Sequence, residues 1–152
     1  VVLTTDENTG LKIKMKMDFI SSDPEKPYIV DYKTTTECKP SDTPTGNEDF
    51  ARPSDFERHC YNLGYCNQAA FYLQFARQEK LKAEFFVLLA QEKEAPYVVQ
   101  PYVYGFETIE AAANENMKLL ERIAKAAKTN TWPAYSNKIM PIFRPYWGLK
   151  DD

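Results

Sequence analysis

Five side chains in this sequence are of the types and spacings that handle phosphate and metal chemistry: Asp18, Asp31, Lys33, Gln68 and Tyr72. Asp31 and Lys33 are two apart in Tyr28-Ile-Val-Asp-Tyr-Lys-Thr-Thr35, a run that reads as a strand, so both side chains leave one face. Asp18 ends the preceding alternating run, and Asp23-Pro-Glu-Lys-Pro27 separates the two as a breaker. A turn centred between residues 24 and 25 makes an antiparallel hairpin in which 18 faces 31. Partners of that kind have Cβ atoms about 4.5–5.5 Å apart. Two carboxylates that close repel each other unless a cation sits between them. Oxygen-only ligands with retained water favour Mg²⁺, with Mn²⁺ as substitute, over zinc. Such an ion polarises a phosphoryl oxygen and activates water, and the ammonium of Lys33 stabilises developing charge. The backbone carbonyl of Tyr32, or of the residue after Lys33, is available to complete the metal shell.

An isolated Asp-X-Lys is more commonly a surface ion pair on a strand, so the companion residues matter. Gln68 and Tyr72 are i and i+4 on a helix and share a face, where an amide and a phenol can bond a phosphate or a DNA end. Taken alone, they are more commonly an ordinary amphipathic pattern with Tyr in the core. Lys12, Lys14 and Lys16 alternate along the strand that ends at Asp18 and form a candidate DNA-binding stripe. Alternating Lys also protects exposed strands from aggregation. The lone histidine, His59, reads as a solvent-facing or capping residue. Arg52, Arg58 and the polar 36–53 segment are further places where DNA could be touched, without a pattern that shows it.

The elements that position these groups follow from periodicity. Residues 11–18 alternate as one strand and 28–35 form the second. Residues 36–53 read as a flexible loop. Ser54 with Glu57 is a capping-box pattern that opens a short helix, and Gly64 ends it. A helix is expected over 65–79, strands over 82–91 and 97–106, the latter at an edge because of Pro101, and a long helix over 108–128. In that last helix, Ile109, Ala113, Leu120, Ile123 and Ala127 form the expected core stripe. The tail from Trp132 through Trp147 is irregular and aromatic. The order gives an α/β or α+β fold, a mixed sheet flanked by helices.

Composition narrows the classes. The 152 residues make one domain, 43% hydrophobic and 27% charged, in the globular range. A net charge of −3 weighs against nucleic-acid binding by bulk charge, so any DNA path is local. Three cysteines, Cys38, Cys60 and Cys66, form neither a disulfide framework nor a zinc ribbon and read as free thiols of a reducing compartment. Neither a membrane span nor a signal peptide is seen, and no P-loop indicates nucleotide use.

The ordered combination of Asp18, Ile29-Val-Asp-Tyr-Lys-Thr-Thr35 and Tyr61-Asn-Leu-Gly-Tyr-Cys-Asn-Gln-Ala-Ala-Phe-Tyr72, with Trp132-Pro133-Ala134 after a long helix, resembles the RecB-like branch of the PD-(D/E)XK nucleases. It is most similar to the exonuclease VIII (RecE-type) enzymes of phages and prophages. The resemblance spans about residues 11 to 135 and implies a restriction-endonuclease-like core. It implies that Asp18 and Asp31 bind metal, that Lys33 is the catalytic lysine and that Gln68 and Tyr72 contact the scissile or terminal phosphate. It further implies Mg²⁺-dependent 5′-to-3′ digestion of double-stranded DNA in homologous recombination, a ring-shaped homo-oligomer, a single-strand annealing partner and a cytoplasmic setting in a bacterial or phage-infected cell. An iron–sulfur cluster, present in some RecB-like relatives, is not expected, because the cysteines do not match its pattern. The resemblance also places a His or Glu of the metal site on a helix upstream of the first Asp. Only 17 residues precede Asp18, so an N-terminally truncated fragment of reduced activity is expected. Alternatives are a RecB-like endonuclease or CRISPR-associated nuclease and, from another class, a non-catalytic DNA-binding or assembly module.

Overall fold

The alternating run from Leu11 meets its partner upstream, not downstream. In the computed structural model, which describes residues 1–23, 25, 27–41, 53–136 and 138–143, β1 (Val2–Thr5) pairs antiparallel with β2 (Lys12–Met15). Asp6 closes their turn, its carboxylate accepting from the backbone of Asn8 and Thr9 and from the Thr9 hydroxyl. The strand expected over 11–18 therefore ends at Met15. A separate two-residue strand, β3 (Phe19–Ile20), pairs antiparallel with β4 (Tyr28–Thr35). The break has a packing reason: Ile13 and Met15 turn to a second core made with Phe75 and Leu120, while Ile20 packs with the main core around Ile29. Consequently the face bearing Lys12 and Lys14 is not continuous with Asp18.

The main sheet has the order β3-β4-β5-β6, with β5 (Phe85–Glu92) parallel to β4 and β6 (Val99–Val103) antiparallel to β5. Parallel pairing needs a crossover. It is supplied by α1 (Asp55–Asn62) and α2 (Tyr65–Gln78). Ile29, Phe86, Leu88 and Ala90 pack against Ala69, Leu73 and Ala76 of α2. The 24-residue α3 (Phe106–Thr129) packs on α2 in turn. β6 is an edge strand, which is why Pro101 is tolerated opposite Leu89. Asp31, Lys33 and the buried residues share the helix-facing side. Phe19, Tyr32, Phe85, Val99 and Val103 share the other side and stay exposed among the described residues.

The α1 N-terminus carries the expected capping box. The Ser54 side chain accepts from Glu57 N–H at 3.2 Å, and Glu57 Oε2 accepts from Ser54 N–H at 2.8 Å. Ser54→Ala is expected to lower stability by about 1 kcal/mol, read by urea unfolding. A change below about 0.3 kcal/mol would show that the cap contributes nothing. Gly64 separates α1 from α2 at φ 65°, a left-handed conformation suited to glycine. The α3 stripe differs from expectation. Ile123 and Ala127 are exposed, and Asn116 is buried instead. Its amide donates to the Asn67 carbonyl at 2.8 Å, a polar clamp between α2 and α3. The loop expected over 36–53 falls, at 42–52 and with Arg52, outside the described residues, as does the tail from 144 onward.

Candidate active site

Asp31 is 3% exposed in the middle of β4, a position where a carboxylate must be paired or bonded. Two partners meet it. Gln68, one turn into α2, donates from Nε2 to Asp31 Oδ1 at 3.0 Å. Lys33 Nζ lies 2.5 Å from Asp31 Oδ2 as an ion pair. The same ammonium donates to Gln68 Oε1 at 3.3 Å. Carboxylate, ammonium and amide thus form a closed triangle between strand and helix. Asp31 Oδ2, though buried and beside the ammonium, accepts no hydrogen bond among the described residues. Lys33 also stands over the Tyr65 ring, 4.5 Å from its centroid.

Asp18 lies immediately before β3. The register of Phe19 with Val30 and Ile20 with Ile29, extended by one residue, puts Asp18 across from Asp31 as the turn position predicts. The ladder stops at Phe19, and Asp18 remains exposed. Its Oδ2 accepts from Tyr32 N–H at 3.0 Å, which fixes the carboxylate beside the Asp31–Tyr32 peptide.

Tyr72 lies one turn beyond Gln68 on α2. Its hydroxyl donates to the Lys16 carbonyl at 3.0 Å, and its ring packs edge-on to Phe86. It anchors the backbone break just before Asp18. Lys12, Lys14 and Lys16 are exposed; Lys12 and Lys14 sit in the two-stranded sheet, apart from the strands that carry Asp31. His59 is exposed at the end of α1, with its ring edge-on to Tyr65. The cysteines are free. Burial pushes the Cys60 thiol up to about 11 and, with Glu92 beside it, raises Cys38, so both are neutral near pH 7 and poor metal ligands. Sequence reasoning missed Tyr65. Its signal was present, because position 65 is i−3 from Gln68 and lies on the same helix face.

The arrangement suits a small hard cation. Mg²⁺ commonly binds through one or two carboxylates and keeps several waters. Asp31 Oδ2 is a buried oxygen whose partner among the described residues is the Lys33 ammonium, and the Asp18 carboxylate is held by the adjacent Tyr32 N–H. Among the described residues, no group of three His, Cys, Asp or Glu side chains gathers as a metal site. A two-carboxylate site completed by backbone and water is the form these residues allow.

Acid, Asp-X-Lys and a helical Gln brought together on a mixed sheet define the PD-(D/E)XK nuclease superfamily as the class. Residues 1–142 match the family described as PDDEXK-like domain of unknown function (DUF3799), and the chain belongs to that family. It is also similar to the crystal structure of a candidate exonuclease from Eubacterium rectale, with a TM-score of 0.56 and 20% identity. The match covers 95% of this chain and 53% of that one, so the chain spans about half the length of that protein. At that identity the likeness establishes the fold, a restriction-endonuclease-like core. No curated protein matches the sequence. Among the described residues, no helix is long and apolar enough to cross a membrane.

Proposed function

We propose that this domain is a Mg²⁺-dependent deoxyribonuclease, a 5′-to-3′ double-strand DNA exonuclease of phage-type homologous recombination. The observation that carries the reading is the convergence of buried Asp31, Lys33 and Gln68, with the Asp18 carboxylate bonded to the adjacent Tyr32 N–H. Asp31 and Asp18 would hold the ion, with Mn²⁺ as a substitute, and the backbone carbonyl of Tyr32, or of the residue after Lys33, would complete its shell. When bound, the ion supplies Lewis-acid polarisation of the phosphate and a more acidic water. Lys33 orients that water and offsets charge on the phosphoryl oxygens. Gln68 holds Asp31 and Lys33 at their separation, and the second N–H of its amide is left to meet the phosphate. Tyr72 fixes the chain entering Asp18. Lys12, Lys14 and Lys16 meet the DNA backbone as exposed cations. Polarity, the recombination setting, a homo-oligomeric ring, an annealing partner and a cytoplasmic location follow from the likeness to exonuclease VIII-type enzymes.

Linear and covalently closed circular duplexes of one sequence, incubated with the full chain and Mg²⁺, test the reading. Linear DNA is expected to be degraded from its 5′ ends at least about 100-fold faster than circles are cut, with all activity lost in EDTA. Cutting of circles at the linear rate would assign an endonuclease instead. Binding to DNA without cleavage would assign the non-catalytic module.

A further inference from the structure

Lys33 is held on three sides, and the function proposed above uses only two of them. Asp31 supplies the countercharge at 2.5 Å and Gln68 Oε1 a hydrogen bond at 3.3 Å. The third side is the face of Tyr65, 4.5 Å from the ammonium. The Lys33 side chain is 21% exposed, so part of its water shell is gone and the ring replaces it. A cation over an aromatic face is attracted by the ring quadrupole, more strongly where desolvated.

We propose that Tyr65 is a positioning residue for Lys33, holding the ammonium by its ring face while Gln68 sets its distance from Asp31. The inference rests on the nuclease reading for its catalytic consequence and on geometry alone for the contact. Local structure shows how the ring is aimed. Tyr65 is the first residue of α2, immediately after Gly64, whose φ of 65° turns the chain from α1 into α2. The Gly64 carbonyl accepts from Asn67 N–H at 3.0 Å and Gln68 N–H at 3.2 Å, so one turn fixes both residues that grip Lys33. The His59 and Tyr65 rings meet edge to face, with centroids 6.1 Å apart and an interplanar angle of 81°. Tyr65 also packs against the main core, which limits its rotation.

A lysine stem has four rotatable bonds, and an ammonium released from one side spends less time at the reacting phosphate. Loss of the ring should therefore lower turnover more than substrate affinity, and the hydroxyl should be dispensable. The test compares Tyr65→Leu and Tyr65→Phe in the full chain with Mg²⁺ and linear duplex DNA. Tyr65→Leu is expected to reduce kcat by about tenfold with KM changed less than about twofold, and Tyr65→Phe to stay within about threefold of the parent. A purely structural role would lower the folded fraction without this split. If Tyr65→Leu does not fold, Tyr65→Met replaces it.

A second readout needs no activity. The Lys33 ε-methylene protons, lying over the ring, are expected upfield in the proton–carbon spectrum of the parent and of Tyr65→Phe, and at the ordinary lysine position in Tyr65→Leu. Unshifted ε-methylene protons in the parent overturn the contact. Parental kcat in Tyr65→Leu, in a protein that Lys33→Ala inactivates, overturns the positioning role while leaving the nuclease reading intact. A parent that cleaves no DNA removes both.

Discussion

Asp31→Asn is expected to slow DNA cleavage by at least about 1,000-fold while the protein stays folded, a loss of about 4 kcal/mol in transition-state stabilisation. The substitution is nearly isosteric. An asparagine carbonyl can still accept from Gln68 Nε2, which Asp31 Oδ1 now does at 3.0 Å. What disappears is charge. The new amide would point two N–H donors at Lys33 Nζ, where Oδ2 now sits at 2.5 Å, and a divalent ion would lose its most buried ligand. Removing one partner of a buried ion pair is destabilising, but the Lys33 side chain is 21% exposed and its ammonium can turn to water, so a folded protein of lower stability is expected. The checks are a cleavage time course with Mg²⁺ and a thermal melt of the same preparation. A folded variant that cleaves within about tenfold of the parent removes Asp31 from the chemistry.

Phe86→Ala is expected to cost about 3–5 kcal/mol of stability, a large part of the roughly 5–15 kcal/mol that holds a domain of this size. Phe86 is 2% exposed on β5, next to Ile29 of β4, with Tyr72 edge-on at 6.0 Å between centroids. Removing the ring opens a cavity between sheet and α2, under the helix that carries Gln68. Phe85, its neighbour in sequence, points to the opposite face and is 54% exposed. Phe85→Ala is accordingly expected to cost less than about 1 kcal/mol. Urea unfolding of both variants reads the difference. Equal losses would mean that the sheet faces are assigned the wrong way round.

The parts of the site legible in the sequence were those set by local chemistry. The spacing of Asp31 and Lys33 on a strand fixes their common face, and β4 spans the expected Tyr28–Thr35. The breaker between the strands fixes the register that brings Asp18 across from Asp31. Ser54 and Glu57 cap α1 as their spacing requires. What failed depended on tertiary packing. Alternation from Leu11 to Asp18 looks like one strand, but periodicity does not say which core a residue joins. Ile13 and Met15 join Phe75 and Leu120, and the chain breaks before Asp18. The turn at Asp6-Glu-Asn-Thr-Gly10 after Val2–Thr5 was a hairpin signal that pointed to β1 as the true partner. In α3, Asn116 takes a core position because Asn67 on another helix satisfies its amide. The same limit explains Tyr65. The sequence places it and Tyr72 near Gln68, and only the packing of α2 on β4 shows that Tyr65 faces Lys33 while Tyr72 bonds to Lys16.

Asp31 and Asp18 together are expected to hold a hard divalent cation beside Lys33. Calorimetric titration of the full chain with Mn²⁺ tests it without recourse to DNA. Ion binding is expected to weaken at least about tenfold in Asp31→Asn and again in Asp18→Asn, with Lys33→Ala still binding. Mn²⁺ affinity unchanged by loss of either carboxylate would contradict it.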